Sequence, residues 1–148
     1  MKISAKGRYA LAAMIHIATD YDNAKHITVI RISEQLGISK IYLEQVFSLL
    51  KRGGLVISVK GARGGYQLSR IPEQITVLDI LSAVELTLFE TTEETVMKNA
   101  PDIEKAMRVV AFDVLDCTVK KTLSDITLAN LVVSALKHKT NDGFMFYI

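Results

Sequence analysis

Apolar residues recur at intervals of three and four along the first part of the chain, which is the spacing of an amphipathic helix. The first predicted helix runs from Ser4, a suitable N-cap, to about Tyr21. After a polar loop, a short second helix is expected between a cap at Thr28 and a left-handed residue at Gly37. The apolar face of the first helix consists of Ala10, Ala13, Met14 and Ile17.

A third helix is expected directly after the turn at residues 37–39. Ser39 can cap it, and it should run from Lys40 to about Arg52. Two short helices joined by such a turn, the second with a polar outer face, are typical of a helix-turn-helix, although an ordinary helical hairpin gives a similar pattern. The apolar face of the third helix consists of Leu43, Val46, Phe47 and Leu50.

The helical period ends at two glycines, and a β-hairpin is predicted next. Residues 55–60 are rich in β-branched side chains, residues 61–65 form a glycine-rich loop, and residues 66–69 return as a second strand. A phosphate-binding loop is disfavoured, because the Gly-Lys-Ser/Thr ending is missing and no helix follows. A helix-turn-helix followed at once by a hairpin is the element order of a winged helix.

The second half of the chain predicts further helices. Thr76 and Asp79 indicate a short capped helix after the break at Pro72, and Pro101 suits the first turn of a long one. An acidic connection at residues 87–101 separates the two, and another helix is expected to restart near residue 123. The apolar stripe of the long helix consists of Ile103, Ala106, Met107, Val110, Val114 and Cys117.

Charge is distributed unevenly along the chain. Residues 1–70 carry 11 basic and 4 acidic side chains, a net charge of +7, whereas the remaining 7 basic and 12 acidic side chains give −5. A basic half joined to an acidic half suggests a module that binds a polyanion.

Catalysis and metal binding find little support in the sequence, and an enzyme is not expected. The three histidines are scattered, and the single cysteine excludes a thiolate cluster built by one chain. Cys117 is expected to be a small buried residue, with a redox sensor as the alternative. A cytoplasmic location is expected, because neither a signal peptide nor a membrane-spanning stretch is found.

Three runs of residues resemble those of a known family. They are KISAKGRYA at residues 2–10, ISKIYLEQ at 38–45 and KGARGGYQL at 60–68. Together they resemble the Rrf2-type winged-helix regulators, and the likeness covers most of the chain. Members of that family form homodimers through a long C-terminal helix, which the resemblance assigns to residues 102 to about 120.

The sequence differs from the cluster-binding members of that family. Those members place three cysteines in and around the connection before the long helix, whereas residues 87–103 contain none, so no iron–sulfur cluster is expected. The closer resemblance is to the cysteine-metabolism repressors of Gram-positive bacteria. It implies cysteine synthase as a partner, because that enzyme has a groove that captures tails ending in isoleucine. The partner-binding residues would be Phe146, Tyr147 and Ile148, unless the tail packs on the dimer.

The expected fold class is mainly α with a small β-hairpin. Residues 1–71 would form the DNA-binding winged helix-turn-helix, 72–101 a connecting helix and acidic loop, and 102–148 the dimerisation helices and an apolar tail. The expected function is that of a homodimeric repressor on a pseudo-palindromic DNA operator, with cysteine and sulfur metabolism as its regulon. The alternative is an interaction module whose C-terminal helices and tail bind a metabolic enzyme.

The expected DNA contacts come from three places. Side chains of the third helix would meet base edges and phosphates, the start of the first helix would hold phosphates, and the tip of the hairpin would enter the minor groove. The candidates are Lys2, Ser4, Lys6, Arg8, Tyr9, Ser39, Lys40, Tyr42, Glu44, Gln45, Lys60, Arg63 and Tyr66.

Overall fold

The structure is a computed structural model that describes residues 1–21, 26–62 and 64–145, with the backbone alone for residues 144 and 145. Four of the predicted site residues, Arg63, Phe146, Tyr147 and Ile148, lie outside the described residues.

Three capped helices open the chain as the sequence predicts. Helix α1 spans Ala5–Thr19 and α2 spans Val29–Leu36, with Ser4 and Thr28 as their N-caps. Helix α3 spans Lys40–Arg52 after a cap at Ser39. The turn between α2 and α3 contains Gly37 at φ 66°, a left-handed conformation that costs glycine little.

The hairpin consists of strands β1, Val56–Val59, and β2, Gly65–Leu68, paired antiparallel with Val56 opposite Leu68. Both of these residues face the core, whereas Ile57 is exposed. Ile27 adds a third partner, because its N–H and C=O both pair with the backbone of Tyr66, at 3.0 and 2.9 Å. Backbone hydrogen bonds therefore join the hairpin to the segment before α2, in addition to the bonds between its two strands.

One apolar core includes residues from both halves of the chain. Met14, Phe47 and Leu50 lie at its centre, and Ile80 and Leu128 from the second half reach the same cluster. Helix α4, Val77–Val84, follows a short 3-10 helix at Pro72–Gln74 and begins with a complete capping box between Thr76 and Asp79. The capping box confirms the start of the helix predicted after Pro72.

The long helix is nearly continuous from residue 101 to 125. It consists of α5, Pro101–Met107, a wider π-helical turn, Arg108–Phe112, and α6, Asp113–Asp125. Helix α7, Leu128–Met145, begins beside α4, because Leu128 N donates to Ile75 O at 2.7 Å and Val77 N donates to Ile126 O at 2.9 Å. No helix in residues 1–21, 26–62 and 64–145 is long and apolar enough to span a membrane.

The long helix turns most of its apolar side chains to solvent. Of its residues only Glu104 is buried, and Val110 is 75% exposed. The expectation that Cys117 is buried is wrong for the single chain, since the thiol is exposed. The physical reason is that the apolar stripe carrying Cys117 does not pack on this chain's own core.

The described architecture is mainly helical, with one two-stranded hairpin and a long C-terminal helix. It confirms the winged helix-turn-helix fold.

Candidate nucleic-acid interface

Helix α3 buries one face and exposes the other. The buried face consists of Leu43, Val46, Phe47 and Leu50. The opposite face has a mixture of polar and apolar side chains, all exposed: Lys40, Ile41, Glu44, Gln45 and Ser48. A helix held by its apolar face with such a polar outer face can enter a major groove.

Two of these side chains interact with each other. Lys40 Nζ lies 3.7 Å from Glu44 Oε1, and both side chains are about half exposed, at 53% and 52%. An exposed i,i+4 pair contributes little stability, on the order of 0.3–0.5 kcal/mol. The pair is therefore free to exchange its mutual contact for contacts to DNA.

The first turn of α3 is fixed by Ser39 and by an aromatic contact. Ser39 Oγ accepts from Tyr42 N at 3.1 Å, so its hydroxyl caps the helix. The ring of Tyr42 meets that of Tyr9 edge to face, with centroids 5.2 Å apart. Both residues are half-buried, and their contact links the second turn of α1 to the first turn of α3.

The start of α1 combines basic side chains with an N-cap that is bonded to a carboxylate at the end of α4. Lys2 and Arg8 are exposed and Lys6 is half-buried. Ser4 Oγ accepts from Gly7 N at 3.2 Å and also donates to Glu85 Oε1, which accepts from Ser4 N at 2.9 Å. The Ser4 hydroxyl is thus already engaged as a cap and with a carboxylate.

The predicted wing residues have different environments. Lys60 is exposed directly after β1. The ring of Tyr66 instead stacks on that of Phe47, with centroids 4.5 Å apart and planes 12° apart. The Tyr66 ring therefore anchors the hairpin to α3.

Sequence reasoning missed three residues of this region. Ile41 is 72% exposed on the outer face of α3, and Ser48 is exposed on the same face. Their spacing of three and four from Gln45 is a signal that could have found both. Glu85 gives no local signal, because its partner Ser4 lies 81 positions away.

The acidic connection before the long helix offers carboxylates and cations rather than thiols. A cleft of about 170 Å³ lies between residues 89–92 and the long helix, with Phe89, Glu104, Arg108 and Lys120 in its lining. Glu104 is buried and accepts from Val96 N at 3.1 Å, while Arg108 pairs with Glu94 at 2.6 Å. The lining has neither a thiol nor an imidazole, and the single Cys117 is not part of it. The residues present do not fit a cysteine-bound iron–sulfur cluster.

Comparisons with known proteins agree with this geometry. The profile of the Rrf2 family, described as an iron-dependent transcriptional regulator, matches residues 3–134. The chain is 38% identical over 132 residues to an HTH-type transcriptional regulator of Haemophilus influenzae. This alignment covers 89% of this chain and 87% of the relative. It is 36% identical to the transcriptional regulator IscR of Vibrio atlanticus, covering 89% and 75%.

Among solved structures, the chain is similar to CymR, the global cysteine regulator of B. subtilis. The TM-score is 0.74 at 34% identity, and the alignment covers 90% of this chain and 98% of CymR.

Proposed function

Since the chain belongs to the Rrf2 family of DNA-binding transcriptional regulators, which are not enzymes, we propose that it acts as a homodimeric repressor on a pseudo-palindromic operator. Helix α3 would read the major groove, the start of α1 would hold phosphates, and the wing would reach the minor groove.

The outer face of α3 carries this proposal. Gln45 can pair with an adenine, Glu44 can accept from a cytosine amino group, and Lys40 can donate to a guanine. All three are exposed, on a helix whose other face lies in the core. The +7 charge of residues 1–70 supplies attraction to the DNA backbone.

The long helix supports the homodimer. Large apolar side chains are exposed along it: Ile103, Val109, Val110, Phe112, Val114 and Leu115. Such a surface is costly in a monomer, and a second copy of the same helix would bury it. A two-fold dimer places two α3 helices for two half-sites, which is why a pseudo-palindromic operator is expected.

Cysteine and sulfur metabolism is the proposed regulon. It rests on the likeness to CymR over nearly the full length of both chains, and cysteine synthase is the proposed partner. The tail residues Phe146, Tyr147 and Ile148 would engage it through their large apolar side chains. We propose no iron–sulfur cluster, because a single cysteine cannot supply the ligands.

Selection of bound fragments from genomic DNA tests the proposal. The expected result is a recurring inverted repeat, bound in about 0.15 M salt far more tightly than unrelated DNA. Gln45→Ala should weaken binding about tenfold or more and relax the base preference at one position in each half-site. Gln74→Ala, an exposed glutamine outside α3, is the matched control and should bind normally. Enrichment of no sequence, or unchanged selectivity in Gln45→Ala, would contradict the proposal.

A further inference from the structure

Glu85 joins the start of α1 to the end of α4. Its Oε1 accepts from both Ser4 N, at 2.9 Å, and Ser4 Oγ. Ser4 Oγ in turn accepts from Gly7 N at 3.2 Å. The carboxylate therefore lies at the N-terminus of α1, where a negative charge is favourable. We call these three residues the Ser4–Gly7–Glu85 clamp.

Gly7 makes this close approach possible. A Cβ at position 7 would overlap Glu85 Oε1 and the side chain of Ile3. Any other residue at position 7 must therefore displace the carboxylate, the first residues of the chain, or both. Glycine in the first turn of a helix is otherwise unfavourable, by up to about 1 kcal/mol relative to alanine.

Glu85 is itself held by the helix it ends. Its N–H donates to Leu81 O at 2.7 Å as the C-cap of α4, and the capping box at Thr76 and Asp79 fixes the other end. Val77, Ile80, Leu81 and Val84 anchor the helix by burial. The connection to the long helix begins directly after Glu85, so the clamp joins the first residues of the chain to that connection.

We infer that Glu85 is a positioning residue for DNA binding: it holds the segment with Lys2, Lys6 and Arg8 in place for phosphate contact. This inference rests on the proposed function.

Two substitutions of Glu85 separate positioning from charge. Glu85→Gln keeps an oxygen that accepts from Ser4 and removes the negative charge, whereas Glu85→Ala removes both. Glu85→Ala should weaken operator binding about three- to tenfold, because the first residues lose both exposed hydrogen bonds that position them. A plot of log affinity against log salt should also become less steep, by about one unit of slope, because one phosphate contact is lost. Glu85→Gln should restore affinity to within about twofold of the original and restore the slope.

Glu93→Ala is the matched control, because Glu93 is an exposed glutamate of the same connection. It should change neither affinity nor slope. Equal affinity and slope in Glu85→Ala and Glu93→Ala would overturn the inference. Tighter binding by Glu85→Ala would overturn it as well, because the carboxylate would then compete with phosphate.

Amide hydrogen exchange at Ser4 tests the clamp without DNA. Exchange should be several-fold faster in Glu85→Ala than in the unaltered protein or Glu85→Gln, because the Ser4 N–H loses its acceptor. Equal exchange rates at the Ser4 amide in Glu85→Ala and in the unaltered protein would contradict the inference. If the unaltered chain selects no DNA site, the proposed function fails, and the exchange result still decides whether Glu85 holds the first residues.

Discussion

The Lys40–Glu44 pair presents opposite charges side by side on the exposed face of α3. A G·C base pair offers acceptors on guanine and an amino donor on cytosine at its major-groove edge. A lysine and a glutamate four positions apart match this arrangement of donors and acceptors. We therefore propose that the pair reads a G·C base pair, since its exposed contact stabilises the helix little.

Glu44→Ala tests this at a single residue. The free energy of unfolding should change by less than about 1 kcal/mol, because the ion pair is exposed. Base preference at one operator position should relax, because the acceptor for cytosine is lost. Thermal unfolding and a repeat of the site selection measure the two effects. A large loss of stability with an unaltered base preference would contradict this role.

Gly7→Ala tests the Ser4–Gly7–Glu85 clamp from its other side. Alanine favours the helix by up to about 1 kcal/mol, but its Cβ would displace the Glu85 carboxylate. Unfolding free energy should therefore change little, while operator affinity falls about three- to tenfold, as in Glu85→Ala. Denaturant unfolding and DNA titration measure the two quantities.

Gly143→Ala in α7 is the control, because a Cβ there meets no atom of the described residues within 4 Å. Normal DNA binding by Gly7→Ala would show that the clamp does not position the first residues.

The caps were predictable from the sequence because each acts within four residues. Ser4, Thr28, Ser39 and Thr76 all cap the helices expected of them. Contacts between distant positions were not predictable in this way. Alternation in β1 could not show that Val56 is buried and Ile57 exposed, because the pattern is apolar on both faces.

At the scale of elements, the long helix explains why the burial of Cys117 was misjudged. Helical spacing identifies an apolar stripe but does not say what covers it. Val114 and Cys117 are both exposed on α6, although the stripe has the composition of a core face. In the proposed dimer the second copy of the helix would cover this stripe.

Val110→Glu should separate the dimer. Val110 is 75% exposed in the single chain, so the substitution should leave the fold of that chain intact. At a dimer interface it would bury an unpaired carboxylate, which should weaken association at least about 100-fold. Sedimentation over a range of protein concentrations measures the change, and operator binding should fall with it.

Alkylation of Cys117 provides a second measurement on the same variants. The thiol should react slowly in the dimer and faster in Val110→Glu, if the stripe is the interface. Ile30→Glu is the control, a substitution at an exposed apolar residue of α2. It should leave both the mass of the assembly in sedimentation and the rate of Cys117 alkylation unchanged. A dimeric Val110→Glu variant would place the interface elsewhere.

At the scale of the whole molecule, the two halves of the chain share one core but differ in charge. Helix α7 packs its first turn on the winged helix through Leu128, whereas its later residues, such as Leu136, are exposed. The basic half is proposed to bind DNA, and the acidic half contains the long helix and the tail. This division predicts that partner binding and DNA binding respond to different substitutions.

Removal of residues 146–148 tests that separation. The truncated chain should bind operator DNA in isolation as tightly as the full chain, because the DNA contacts are proposed within residues 1–70. Its affinity for cysteine synthase should fall at least about tenfold, because Phe146, Tyr147 and Ile148 are the residues proposed to bind the enzyme. Calorimetric titration with the enzyme and DNA titration measure the two affinities.

Ile148→Ala is the smaller change and should show part of the loss of affinity for the enzyme. If the truncated chain still binds the enzyme fully, the tail is not the contact. If it instead loses the dimer, the tail packs on the dimer core.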